Sequence, residues 1–242
     1  MMDAQHHKRQ YIAMFGIQRA IILAAGKGTR LKSFTQHKPK ALMLIAGEPA
    51  IARVIRHLVS NGIHDIAINV HHHARQIQEY IGYGEKFNAN IYYSYEDQLL
   101  DSGGGARTAL DLLPPGETVL IHNADIMAHI NIQDLEQACP KQGCALALVP
   151  NPRHNTQGDF SLHNGLVSTE QPTPYTFSGV SLWHDEALLT YPSQTSFSLL
   201  EPIREQIQQQ HCAGMTHHDH WFDIGRPRDL IQAHYYYSQE AL

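Results

Sequence analysis

Two glycines placed directly after an apolar run mark the first stretch able to do chemistry: Ala20-Ile21-Ile22-Leu23-Ala24-Ala25-Gly26-Lys27-Gly28-Thr29-Arg30. Such a run reads as a buried strand feeding a loop that faces phosphate. Gly26 and Gly28 permit positive φ and leave no Cβ in the way, so successive backbone N–H groups can converge on an anion as a nest. Lys27, Arg30 and Lys32 add positive charge. The spacing is neither familiar glycine-loop pattern, because no Lys-Ser/Thr follows a second glycine and no third glycine opens a helix. On spacing alone, an ordinary tight turn stands as an equal reading.

Two acidic residues follow a related logic. Thr118 to Ile121 reads as a buried strand whose carboxyl end carries His122-Asn123-Ala124-Asp125. Ligands of open parallel sheets gather beyond strand carboxyl ends, which suits Asp125 to a divalent ion, although an Asp there is more often a helix cap. Asp223 lies in Trp221-Phe222-Asp223-Ile224-Gly225, which reads equally well as a structural turn. In Glu96-Asp97-Gln98-Leu99-Leu100-Asp101-Ser102-Gly103-Gly104-Gly105, three glycines at a helix entrance would let something planar approach the backbone, or would form a flexible loop.

The elements that must position these groups alternate. A helix is predicted from Pro49, with Ile51, Val54, Ile55 and Leu58 on one face and Asn61-Gly62 as its stop. Asp65 to Val70 reads as a strand, His73 to Tyr80 as a helix and Ile91 to Tyr95 as a strand. Ala106 to Leu113 follows as a helix, and strands separated by helices imply parallel pairing. Asn131 is the expected cap of a helix beginning at Ile132. Cys144 to Val149 is a further apolar strand, and Asn164-Gly165 between Asp159–His163 and Leu166–Ser168 signals a hairpin with a type I′ turn. Helices are expected at His184 to Tyr191, at Leu199 to Gln209 and after Pro227. The fold class is therefore α/β: a Rossmann-like, mostly parallel central sheet flanked by helices, with a small second sheet or hairpin insertion.

A chain of 242 residues with 43% hydrophobic content can bury one large core. Its formal net charge of −5 gives no general electrostatic reason to bind nucleic acid or an anionic membrane. Three cysteines match no paired ligand spacing, which favours a reducing compartment, and no secretory signal is evident, so a cytoplasmic address is expected. Adjacent histidines in His71-His72-His73 would point to opposite faces of a strand and read as polar loop residues, as do His217-His218 and His220.

The wider pattern, Leu23-Ala24-Ala25-Gly26-x-Gly28-Thr29-Arg30-Leu31, then Phe34-Thr35 and Pro39-Lys40-Ala41-Leu42, resembles the signature of the sugar-1-phosphate nucleotidyltransferases. The resemblance continues through Asn123-Ala124-Asp125, Thr176-Phe177-Ser178-Gly179-Val180 and Trp221 to Gly225, and is greatest to the short bacterial N-acetylmuramate-1-phosphate uridylyltransferases. It implies residues 1–19 as an extension, 20–242 as one nucleotidyltransferase domain, and UTP and a sugar 1-phosphate as partners of a monomer or small homo-oligomer. It implies Mg²⁺ held by Asp125 and Asp223, with Arg30 and Lys40 countering phosphate charge. Leu23, Ala24, Ala25, Gly26, Lys27, Gly28, Thr29 and Asn123 would hold the nucleotide, Gly103 and Gly104 would read the base edge, and Gly158, Asp159, Ser178 and Gly179 would line the sugar pocket. Many relatives place a Glu-Lys pair on the second sheet to meet the sugar phosphate, but no lysine follows Lys141, leaving Lys40, Arg153 or Arg204 as candidates. GTP with mannose 1-phosphate, dTTP with glucose 1-phosphate, and a noncatalytic nucleotide-sugar sensor stand as alternatives.

Overall fold

The computed structural model describes residues 16–26, 28, 31 and 38–240. Lys27, Thr29, Arg30, Lys32, Phe34 and Thr35 therefore lie outside the described residues.

The apolar run after Gln18 forms β1 (Arg19–Leu23), and its side chains alternate between the two faces of the sheet. Ala20 and Ile22 enter one core and Ile21 the opposite one, so the strand is buried on both faces. A 3-10 turn at Lys40–Leu42 leads into the short ribbon β2 (Leu44–Ile45) and β3 (Glu48–Pro49). The helix α1 (Ala50–Ser60) follows, with β4 (Asp65–Val70), α2 (Ala74–Ile81) and β5 (Asn90–Tyr95) close to their expected bounds. Helix α3 (Asp101–Leu110) begins five residues before the expected start and runs through all three glycines. Then come β6 (Thr118–Asn123), β7 (Ile126–Ala128) and α4 (Ile132–Ala138). The Asn131 carboxamide oxygen accepts the N–H groups of Gln133 and Asp134 at 3.1 and 3.3 Å, as a cap should.

The second half supplies β8 (Cys144–Pro150), β9 (Ser161–His163), β10 (Leu166–Ser168) and β11 (Tyr175–His184). Asn164 and Gly165 between β9 and β10 both have positive φ, 51° and 81°, as a type I′ turn requires. Helices α5 (Asp185–Leu189) and α6 (Leu200–Gln208), strands β12 (Cys212–Thr216) and β13 (Trp221–Asp223), and helix α7 (Pro227–Glu240) complete the described chain.

Nine strands make one sheet in the order β5-β4-β1-β6-β11-β8-β12-β10-β9. The β5-β4-β1-β6 half is wholly parallel, whereas β11 runs antiparallel to both β6 and β8. The expected hairpin forms and extends the far edge of this same sheet. One core packs α1, α2, α4 and α7 on one face through residues such as Ile55, Ile77, Leu135 and Ala233. The other packs α3, α5 and α6 through Ala109, Leu188 and Ile203. Parallel pairing brings the carboxyl ends of β1, β4, β5 and β6 to one edge, where ligands of such sheets collect.

Candidate active site

A cleft of about 500 Å³ opens at that edge. Leu23, Ala24, Ala25 and Gly26 line it from the end of β1, and Asn123, Ala124 and Asp125 from the end of β6. Lys40 reaches in from the 3-10 turn, and Asp101 and Ser102 close it from the start of α3. The Ala124 and Ala24 amides tie the end of β1 to the ends of its neighbours β6 and β4. The Ala124 N–H donates to the Leu23 carbonyl at 3.0 Å, and the Ala24 N–H to Asn69 Oδ1 at 2.6 Å.

Asn69 and Glu96 were not singled out as site residues by sequence, yet they set the floor of the cleft. Both are buried, and Asn69 Nδ2 donates to Glu96 Oε1 at 2.7 Å while Glu96 Oε2 accepts the Leu100 N–H at 3.0 Å. This network links β1, β4, β5 and the entrance to α3. Gly105 makes room for it, since a Cβ there would stand 2.4 Å from Asn69 Nδ2 and 2.7 Å from Glu96 Oε1. A sequence signal existed in the position of each residue at or just beyond a strand's carboxyl end.

Gly103 and Gly104 take a different place from the one expected. Their N–H groups both donate to the Phe197 carbonyl, at 3.0 and 3.1 Å, and neither residue lines the cleft. What approaches their backbone is the 195–199 segment, with a Gly104 Cβ only 2.0 Å from the Thr195 carbonyl oxygen. Those amides are therefore engaged within the protein, and the face of α3 turned to the cleft is that of Asp101 and Ser102.

Asp125 and Asp223 are brought together by the ribbon of β7 and β13. Asp223 pairs with Ile126, and the Ile224 N–H donates to the Asp125 carbonyl at 3.0 Å. Lys40 Nζ forms an ion pair with Asp125 Oδ2, and Asp223 Oδ1 accepts the Gly225 N–H at 2.9 Å. Two carboxylates on paired backbone suit a hard divalent cation that takes its other oxygens from substrate phosphates. Among the described residues, no group of three or more His, Cys, Asp or Glu residues could hold a metal ion. Just inside this pair, burial pushes the His122 imidazole down to about 4, so the ring is neutral and its Nδ1–H donates to the Asn123 carbonyl at 2.8 Å.

A second cavity of about 500 Å³ meets the first at Ser102 and Asn123. Gly158 and Asp159 line it with an apolar floor of Phe160, Leu199 and Ile203, and Arg204 is a cation on its rim. Asp159 also fixes its own loop, accepting from the Phe177 N–H and from Asn155 Nδ2, each at 2.9 Å. Ser178 and Gly179 lie outside both cavity linings. They form an irregularity in β11 that supports the site from below: Gly179 has φ 88°, a Cβ on it would stand 2.7 Å from Asn123 Nδ2, and the Ser178 carbonyl accepts Trp221 Nε1–H at 2.9 Å.

A strand-end cleft walled by Lys40 and Asp125 and an adjoining cavity thus meet at the carboxyl edge of the parallel strands. The chain belongs to the nucleotidyl transferase family, whose profile matches residues 19–160. It is 34% identical to an N-acetylmuramate alpha-1-phosphate uridylyltransferase from Neisseria meningitidis over 89% of this chain and 96% of that one. It is 37% identical to a UTP–glucose-1-phosphate uridylyltransferase from Synechocystis, over 89% of this chain but 62% of the relative. The fold is shared with a Bacillus anthracis protein crystallised with sucrose, at a TM-score of 0.80 and 19% identity, covering 91% and 95% of the two chains.

Proposed function

We propose that this protein is a sugar-1-phosphate nucleotidyltransferase that joins UTP to N-acetylmuramate 1-phosphate, giving the UDP-sugar and pyrophosphate, in peptidoglycan recycling. The observation that carries the reading is the junction of two cavities at Ser102 and Asn123, one lined by Lys40 and Asp125 and one by Gly158 and Asp159. Near end-to-end similarity to the Neisseria uridylyltransferase supports the choice of base and sugar. Residues 20–242 serve as one catalytic domain, preceded by an extension.

Nucleotidyl transfer asks the protein to neutralise the triphosphate, align the attacking oxygen with the α-phosphorus and stabilise the departing pyrophosphate. Leu23 to Gly26 would seat the nucleoside, and Asn123 would separate it from the sugar. Lys40, held against Asp125, would set positive charge at the α-phosphate, and the loop with Lys27, Thr29 and Arg30 would hold the leaving pyrophosphate. A Mg²⁺ held by Asp125 and Asp223 would supply Lewis-acid stabilisation of phosphate charge. The attacking sugar phosphate has a second pKa near ~6 and is largely dianionic at neutral pH, so no general base is needed.

A second reading keeps uridylyl transfer and changes the sugar to glucose 1-phosphate, in line with the similarity to the Synechocystis protein. Pyrophosphate release across a panel of nucleoside triphosphates and sugar 1-phosphates separates the two. We expect the highest kcat/KM with UTP and N-acetylmuramate 1-phosphate; a preference for glucose 1-phosphate replaces the sugar, and no release with any pair refutes the reading.

A further inference from the structure

A further cavity, of about 440 Å³, lies against Asp223 and outside the two described above. Its charged lining consists of the guanidinium groups of Arg153, Arg226 and Arg228 against the carboxylates of Asp223 and Asp229. The rings of His154 and Trp221, stacked 6.3 Å apart, form one wall. Local positive excess is notable in a chain of formal net charge −5.

Arg226 differs from its neighbours. It is partly buried in the turn between Gly225 and α7, and its Nη1 is fully buried with no hydrogen-bond partner, a condition shared by one other side-chain atom among the described residues. A buried cationic donor is costly unless an acceptor, preferably an anionic one, reaches it. The turn that carries Arg226 is the one that Asp223 closes through its bond to the Gly225 N–H, so the two residues lie on one hydrogen-bonded stretch of backbone. Among the described residues, other cations are less well placed to receive the sugar phosphate. Lys40 is paired with Asp125, Arg204 lines the second cavity and not the one against Asp223, and no lysine follows Lys141.

We propose that Arg226, with Arg153 in the same cavity, binds the phosphate of the incoming sugar 1-phosphate from the Asp223 side; this rests on the function proposed above. A guanidinium suits the task because its planar fork donates two parallel N–H bonds to phosphate oxygens while keeping its charge at any working pH. Arg226 would satisfy its orphaned donor only when that substrate arrives.

Steady-state kinetics of the full-length protein with UTP and N-acetylmuramate 1-phosphate test this in Arg226→Gln, Arg226→Lys and Arg153→Gln, with Arg75→Gln on exposed α2 as the control. The expected result is a rise of about 10-fold or more in KM for the sugar phosphate in Arg226→Gln, with KM for UTP unchanged and partial recovery in Arg226→Lys. A sugar-phosphate KM within about 2-fold of wild type, or an equal rise in both KM values, overturns the assignment. If Arg226→Gln does not fold, the exposed Arg153 carries the test by the same criterion. If the wild type releases no pyrophosphate with any pair, the functional reading has failed by itself. Calorimetric titration of inorganic phosphate into wild type and Arg226→Lys then decides on the anion site: the site stands if binding is detected and weakens in the variant, and falls otherwise.

Discussion

Asp125 carries two obligations, a salt bridge to Lys40 and a place beside Asp223 on the β7–β13 ribbon. If the two carboxylates serve one ion, each alone is indispensable and the pair is not additive. Asp125→Asn or Asp223→Asn is expected to lower kcat by roughly 10²-fold or more, the scale for losing one preorganised electrostatic group. The double variant should lose little beyond the worse single one, because residues that act as a unit are removed together. Multiplicative losses in the double variant, measured with folded proteins, would show that the two carboxylates act separately. The same scale explains why the floor of the cleft was harder to read than its rim. Glycines and an Asp-x-Gly turn announce themselves through backbone chemistry, whereas Asn69 and Glu96 matter because burial leaves each the other's partner. That relation joins residues from different strands, and its local trace is only each residue's place at or just beyond a strand's carboxyl end.

At the level of elements, periodic stretches were legible and their ends were less so. The face of α1, the Asn131 cap and the Asn164-Gly165 turn follow from spacing and local hydrogen bonding, which tertiary contacts do not alter. Helix α3 shows the opposite case, since Gly103 to Gly105 carry poor intrinsic helix propensity and read as the entrance to a helix beginning at Ala106, or as a flexible loop. Close packing overrides that preference: the 195–199 segment and the Asn69–Glu96 pair crowd against this turn so tightly that only a helix without side chains fits. The short strands β7, β12 and β13 were missed for a related reason, being too brief to show an alternation and defined by their partners. Gly104→Ala isolates the packing contribution. A helix interior ordinarily gains from this change, yet here the new methyl meets a backbone carbonyl that cannot rotate aside. We expect a loss of about 1–3 kcal/mol, seen as a lower denaturation midpoint with an unchanged m-value. A neutral or stabilising result would mean that the 195–199 segment yields freely.

Across the whole molecule, β6 is the seam where the parallel half of the sheet meets the mixed half. His122 sits on it, paired with Ile22 on one side and Val180 on the other, and its ring shares a cavity with His57 and His129. Desolvation is the main cause of its depressed pKa; His57 acts in the same direction, and Asp125 and the bond to the Asn123 carbonyl oppose it. Burial also lowers His57, with His129 as a second cause. A histidine whose pKa is lower folded than unfolded takes up its proton more readily in the unfolded state. Stability from this source is therefore complete above about 6.5 and declines as pH falls toward about 4. For His122 alone the expected loss is roughly 1 kcal/mol between about pH 7.5 and about pH 5.5, rising to about 3 kcal/mol near pH 4. Urea unfolding over that range checks it, with His122→Asn giving a visibly flatter curve than wild type. Because the residue lies on the strand common to both halves, the loss should appear as a midpoint shift of one cooperative transition. An equally steep curve in the variant would locate the acid sensitivity elsewhere, and a biphasic one would mean that the halves on either side of β6 unfold separately.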